Sequence, residues 1–241
     1  MTEAGDNKLL GNYRQLIDLV SADTNYTPAN RTITKTALAA HHAAAQAAVA
    51  EIATRSAPNK LAISERQAAY DELPDLVRRS RNMLKASGAS KEIMDDAETH
   101  VRKLTGGRKS TKTKHDPNTP EAEAAKQHSA SQMSYDNQLG NFNAYVAVLN
   151  NVPAYAPNED ELKLPSLQAT ADNLRAKNDA VSASFVPFSQ ARGARDQILY
   201  TDEDSVVNRS LLTKAYVSAA FGSQSKLFKQ IKGLTFKSPP K

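Results

Sequence analysis

Leu10-Gly11-Asn12-Tyr13 returns as Leu139-Gly140-Asn141-Phe142, a displacement of 129 residues, and this recurrence decides how the chain is read. Held fixed, the same displacement sets Tyr26 and Pro28 on Tyr155 and Pro157, Leu38 on Leu167, Ala47 on Ala176, Pro58 on Pro187, Ala62 on Ala191 and Arg66 on Arg195. Conservative pairs fill the gaps: Ile17 with Val146, Ile33 with Leu162, Ile52 with Val181. A tetrapeptide recurs by chance, but a proline-for-proline register without a gap from Leu10 to Arg66 points to a repeat on the domain scale. Past Arg66 the halves drift by a few residues, until Gly88-Ala89-Ser90-Lys91 meets Gly222-Ser223-Gln224-Ser225-Lys226. The expected organisation is one copy at 1–105, a linker at 106–131, a second copy at 132–231 and a basic tail at 232–241.

The apolar pattern inside each copy is helical. Leu9, Tyr13, Leu16, Ile17 and Val20 in the first, and Leu139, Phe142, Val146 and Leu149 in the second, fall at spacings of three and four, which place them on one helix face. Tyr26-Thr27-Pro28-Ala29-Asn30 and Tyr155-Ala156-Pro157-Asn158 stop this helix and offer Asn30 and Asn158 as N-caps for the next. Its seam reads Leu38, His42, Ala45, Val49, Ile52, Ser56 in one copy and Leu167, Ala171, Leu174, Asn178, Val181, Phe185 in the other. Pro58 and Pro187 are expected to kink or end it, because proline removes a donor and crowds the preceding turn. A third helix then runs to Tyr70 or Tyr200. Asp71-Glu72-Leu73-Pro74 and Thr201-Asp202-Glu203-Asp204 read as caps of a fourth, and Gly88 and Gly222 as its stops before a short final helix. The expected fold is all-α: two tandem bundles of four to five helices joined by a flexible basic, proline-bearing linker.

Composition agrees and removes whole classes of chemistry. The chain has 241 residues, 40% of them apolar and 24% charged, with no tryptophan and no cysteine. Disulfides, thiolate nucleophiles and cysteine-ligated metals are therefore excluded. The N-terminus lacks a basic-then-apolar signal pattern, and the Ala37–Ala53 stretch is interrupted by His41, His42, Gln46 and Glu51, so a cytoplasmic location without membrane insertion is expected. Net charge is +5 but uneven: residues 1–105 hold 14 basic and 13 acidic side chains. The excess lies in Arg108, Lys109, Lys112 and Lys114 of the linker and in Lys226, Lys229, Lys232, Lys237 and Lys241 near the C-terminus. Arg78, Arg79, Arg81 and Lys85 are the densest basic cluster inside a copy, with 78, 81 and 85 on one helix face.

Candidate catalytic groups do not converge. His41 and His42 are adjacent, about 100° apart around a helix, and cannot chelate one ion from a single face. His42 falls on the seam and reads as a buried, satisfied histidine. Asp96 and His100 stand at i,i+4 without a third ligand, and His115 and His128 lie in or beside the linker. The acidic runs at 159–161 and 202–204 suit helix starts, where the dipole favours anions. No HExxH, GxxxxGK[ST] or GxSxG pattern occurs. Asn178 on the apolar seam reads as a buried amide that fixes helix register. No catalytic residue, metal site or cofactor is expected.

The segments Tyr155-Ala156-Pro157-Asn158-Glu159, Leu162-Lys163, Leu174-Arg175-Ala176-Lys177-Asn178, Ala191-Arg192 with Arg195, Leu199-Tyr200, Phe221-Gly222, Phe228-Lys229-Gln230 and Phe236 resemble the two-copy all-helical hypothetical proteins of Bacteroidetes-type bacteria. The first copy matches more loosely, through Asp95-Asp96-Ala97 and Arg102-Lys103-Leu104. The resemblance implies a bacterial origin and a helical fold, and transfers no site residue. The leading functional expectation is a non-enzymatic structural or scaffolding protein that self-associates through helical faces, its partner being itself. The alternative is nonspecific phosphate-backbone binding by nucleic acid at Arg78, Arg81, Lys85, Arg108, Lys109, Lys112, Lys114, Lys226, Lys229 and Lys232. A small-ligand pocket between helices ranks third.

Overall fold

The computed structural model describes residues 3–106 and 133–238. Regular structure among them is helical: α1 (Glu3–Ala22), α2 (Lys35–Asp71), α3 (Leu73–Ala86), α4 (Lys91–Thr105), α5 (Tyr135–Asn150), α6 (Leu164–Asp196), α7 (Val206–Phe221) and α8 (Lys226–Ile231). Short 3-10 turns, Arg31–Ile33 and Asp160–Leu162, precede α2 and α6, and a π-helical turn, Gln197–Thr201, follows α6. The protein is all-α, and no helix among the described residues is long and apolar enough to cross a membrane.

Serine sets half of the helix starts. Ser90, Ser134, Ser205 and Ser225 are the N-caps of α4, α5, α7 and α8, each accepting from the backbone N–H three residues on. Two sequence expectations shift accordingly. Asn30 caps the 3-10 turn through Thr32 N–H at 2.9 Å rather than α2 itself, and in the second copy Glu159, not Asn158, holds that place. The acidic run Asp202-Glu203-Asp204 precedes α7, but the capping oxygen is that of Ser205, a side chain short enough to reach back to Asn208 N–H. Gly88 and Gly222 close α3 and α7 with φ of +77° and +84°, a region a β-carbon disfavours.

The separate third helix of each copy does not exist. Pro58 and Pro187 lie inside α2 and α6, which continue to Asp71 and Asp196. An interior proline costs about 3 kcal/mol in an isolated helix. Here buried side chains on both sides of it, Ala45 and Asn59 through Tyr70 in α2, and Leu174 and Asn178 through Ala191 and Arg195 in α6, hold both arms in place.

Those continuous helices divide the chain in an unforeseen way. It forms two compact units, a middle unit of Leu61–Ala183 and an end unit of Met1–Lys60 with Ser184–Lys241. Neither unit coincides with a sequence copy at 1–105 or 132–231. The end unit takes the first half of one copy and the second half of the other; the middle unit takes the remaining halves. The change of unit falls within a few residues of Pro58 and Pro187. Phe185, expected on the buried seam, is consequently 53% exposed, because from Ser184 onward α6 buries Ala191, Arg195 and then Leu199 instead.

Each unit has one core drawn from both halves of the sequence. In the end unit Leu10, Tyr13, Leu16 and Ile17 of α1 and Leu38 of α2 pack with Leu199, Val207, Val217, Leu227 and Ile231. In the middle unit Tyr70, Leu73, Val77, Leu84 and Leu104 pack with Phe142, Tyr145, Leu149, Leu167 and Leu174. A buried tyrosine closes the loop before each long helix: Tyr26 Oη donates to Ile33 O at 2.7 Å, and Tyr155 Oη donates to Leu162 O at 2.8 Å. The expected basic tail is also built in as far as it is described. Phe236 is buried in the end-unit core, Asn12 Nδ2 donates to Thr235 O at 3.0 Å, and Lys214 Nζ donates to the carbonyls of Lys232 and Leu234. Arg108, Lys109, Lys112 and Lys114 lie outside the described residues.

A chain cleaved at a protease site engineered between residues 107 and 132 is expected to stay together as one particle on size-exclusion chromatography, since neither fragment holds a complete core. Elution as two independently folded fragments would contradict this assignment.

Candidate functional site

The arginine cluster foreseen as a phosphate face lies on α3 in the middle unit, and carboxylates occupy it. Arg78 pairs with Asp75, Arg79 makes two bonds to Glu161 at 2.8 and 2.9 Å, and Arg81 Nε meets Glu98 at 2.7 Å. Pairs as exposed as these add little stability, but they cancel the field that would draw in a phosphate backbone. Lys85 is exposed beside them. Lys226, Lys229 and Lys232 are exposed on or just after α8 in the end unit. Over the full sequence the end unit carries 15 basic and 9 acidic side chains, against 16 and 17 in the middle unit. The positive charge therefore belongs to the end unit.

That unit contains the most deeply buried ion pair among the described residues. Arg195 Nη1 donates to Asp6 Oδ2 at 2.6 Å, with side chains 9% and 1% exposed, and Tyr200 Oη donates to Asp6 Oδ1 at 2.6 Å. Arg195 Nε lies 2.8 Å from Asp196 Oδ1, but its N–H is not aligned as a hydrogen bond, so this contact is electrostatic. Desolvation opposes the guanidinium charge. The hydrogen bond and field of Asp6 outweigh it and hold Arg195 above its ordinary range. Burial, then the bond to Asp6, drives Tyr200 upward, so the phenol stays protonated.

Above this pair is an open groove of about 490 Å³. Val49, Ile52, Ser56 and Lys60 follow one face of α2, while Phe188, Arg192 and Arg195 follow one face of α6 at spacings of four and three. Val49, Ile52 and Phe188 are half-buried and form an apolar wall; Lys60 and Arg192 are exposed at its edge. The Arg192 guanidinium stands 5.8 Å from the Phe188 ring centroid. Neither rim cation has a carboxylate at ion-pair distance among the described residues. The sequence assigned no role to Asp6, Lys60 or Arg192, although Arg192 and Arg195 belong to the segments that carry the family resemblance. The available signal was the identity of Arg66 and Arg195 at the displacement of 129.

No family model, curated protein or solved structure matches the chain.

The middle unit holds a different polar cluster at the corresponding sequence positions. Asn178 Nδ2 donates to Tyr70 Oη at 3.0 Å and to Asp136 Oδ1 at 3.2 Å, Tyr70 Oη donates to Tyr135 O at 3.1 Å, and the Arg66 guanidinium covers the Tyr135 ring at 4.0 Å. Asn178, foreseen as a register-fixing amide, thus ties α6 to α2 and α5 within that unit. His42 is buried as its seam position required. Burial pushes the half-buried His41 imidazole down to about 4 from its ordinary 6.5, Arg209 pushes the same way, and Asp204 and Asp202 oppose them. His41 Nδ1 sits 3.4 Å from the Tyr13 hydroxyl. Among the described residues no group of three or more His, Asp or Glu is placed to hold a metal ion.

Two outcomes are expected. Asp6→Asn should cost about 3 kcal/mol in urea unfolding because it strands a buried guanidinium, whereas Asp6→Leu with Arg195→Met should recover most of that loss; strict additivity of the single changes would refute the coupling. His41 stays neutral in the folded chain down to about pH 4 while the unfolded imidazole protonates near 6.5, so the unfolded state binds the extra proton and stability falls as pH drops through that window. His41→Gln should therefore flatten the decline of Tm between pH 6.5 and 4.5, and an unchanged slope would count against it.

Proposed function

We propose that the chain is a non-enzymatic structural protein that arose by internal duplication and self-associates through the helical faces that close its end unit. The observation carrying this reading is that the end unit joins the first 60 residues to those from Ser184 onward. In sequence the whole middle unit stands between these stretches, and only the continuous helices α2 and α6 connect them to it. The faces that meet in the end unit come from opposite ends of the sequence. Asp6 meets Arg195, Asn59 meets Ser184, Thr32 O accepts from Arg209 at 2.6 Å, and Tyr26 stacks edge-on against Tyr216 at 5.3 Å. The same set can be made by the first segment of one molecule and the last segment of another, a head-to-tail contact that extends rather than closes.

A surface contrast supports the same reading. Leu73, Val77, Ser80 and Leu84 of α3 and Val206, Ser210, Thr213 and Val217 of α7 are buried at the same spacing. Between them α3 exposes Arg78 and Arg79, whereas α7 exposes Leu211 and Leu212, at 50% and 44%. Within one molecule, ends held together by the middle unit reach an effective concentration on the order of millimolar, so exchange gains ground where chains are crowded, as in an ordered assembly. A second reading, contact with a phosphate backbone, draws on the exposed Lys226, Lys229 and Lys232 and on the excess charge of the end unit.

Light scattering on size-exclusion fractions should give a mass above the 26.1 kDa of one chain, with a protein-like 260/280 nm ratio. A monomer at all concentrations would remove the self-association reading, and 260 nm absorbance stripped by salt would favour the second. The chain has no cysteine, so Asn12→Cys and Thr235→Cys, introduced in separate molecules and co-concentrated, report exchange directly. Disulfide-linked pairs between the two variants are expected. An oligomer lacking such pairs would leave association intact but rule out exchange of chain ends.

A further inference from the structure

We infer that the groove of the end unit is a binding site for an amphipathic organic anion, a carboxylate on a short acyl or aromatic body. The proposed duplication supplies an internal control for it. At the displacement of 129, Asp6 corresponds to Tyr135, Lys60 to Ser189, Arg192 to Ile63, and Arg195 to Arg66. In the middle unit the arginine is capped by an aromatic ring, Tyr135 at 4.0 Å from Arg66, and that ring packs edge-on against Tyr70 at 4.7 Å. In the end unit the ring is replaced by a carboxylate that reaches inward to Arg195 and leaves open space of about 490 Å³. Both rim positions are cationic; their counterparts in sequence are uncharged, Ile63 in the middle unit and Ser189 within the end unit. One register thus carries a ring-capped arginine in one unit and an open, positively edged groove in the other.

The ligand chemistry follows from which groups remain uncommitted. Arg195 is occupied by Asp6, so it forms the floor and not the anchor. Arg192 and Lys60 are the available cations on the groove's edge; a guanidinium suits a carboxylate held by two hydrogen bonds, and the ammonium adds positive charge to the same edge. The wall of Val49, Ile52 and Phe188 presents no hydrogen-bonding side-chain group, so it favours a body that gains from leaving water. Free acetate would use only the rim and a neutral alcohol only the wall. The site is built for both at once.

The test is titration of the full chain with octanoate, octanol and acetate, followed by amide chemical shifts or calorimetry. Octanoate should bind saturably and more tightly than either of the others. Lys60→Ser with Arg192→Ile, which installs the residues found at positions 189 and 63, should weaken octanoate about tenfold, since two partly exposed charge contacts are lost. Lys226→Gln with Lys229→Gln, which removes equal charge elsewhere on the same unit, should leave affinity within about twofold. All four substituted side chains are exposed, so circular dichroism should match the parent and Tm should stay close to it. Equal affinity for octanol, equal loss in the two double variants, or no saturable response at millimolar octanoate would each overturn the site. None of these outcomes bears on self-association, which light scattering reads separately.

Discussion

Asp6 and Arg195 stand 189 residues apart in the chain and meet at 2.6 Å with both side chains almost fully buried. The joining of the two ends of the sequence into one unit turns on that closure. A buried ion pair is rarely stabilising against a well-packed apolar alternative, but it is strongly discriminating, because either charge alone in that position is costly. The pair therefore penalises any arrangement that buries one of these charges without the other. Cohesion comes from the apolar faces of α1 and α2 against α7, α8 and the π-helical turn, where Tyr13, Leu16, Val20 and Leu38 lie with Leu199, Val206 and Val217.

The two units face different kinetic problems. The middle unit is contiguous, and its helices α3, α4 and α5 follow one another in the chain. The end unit cannot form until its two segments are brought together across that whole length. Loop-closure entropy grows only slowly with length, yet it must be met before any end-unit contact is made. A folded middle unit lowers that cost by tethering the end of the first segment through α2 and the start of the second through α6. A folding order with the middle unit first is the economical one, and it leaves the ends of the chain as the last surfaces to find partners.

Most of the local structure was legible in the sequence, and the pairing of its parts was not. The stripes on α1 and α5, the buried His42 and Asn178, and the glycine stops at Gly88 and Gly222 all follow from periodicity and capping chemistry, which are local. The two alternatives at Pro58 and Pro187, a kink or an end, divide here: the helices bend and run on, and no separate third helix follows. In an isolated helix proline favours a boundary, because it removes a donor and crowds the preceding turn. Here buried residues lie on both sides of each proline, and those on the far side belong to another core, a fact no window of a few turns contains. Once α2 and α6 run on, each copy is divided between two units, and Phe185 moves from core to surface. The same non-locality hid the groove. Lys60 and Arg192 are unremarkable as a sequence pair, and they line one space only because α2 and α6 meet in the end unit.

A chain duplicated as proposed, and keeping its register, can change one site without losing the other. Tyr26 and Tyr155 make the same bond to a carbonyl seven residues on, because each closes the loop on which its long helix depends. Positions 6 and 135, 60 and 189, and 63 and 192 carry no such duty, and there the two halves differ in charge or in size. The arginines at 66 and 195 persist with opposite partners, an aromatic ring in one and a carboxylate in the other. A guanidinium accepts either, through its face or through its edge. That tolerance lets one sequence position carry a ring-covered guanidinium in the middle unit and the floor of an open, positively edged groove in the end unit.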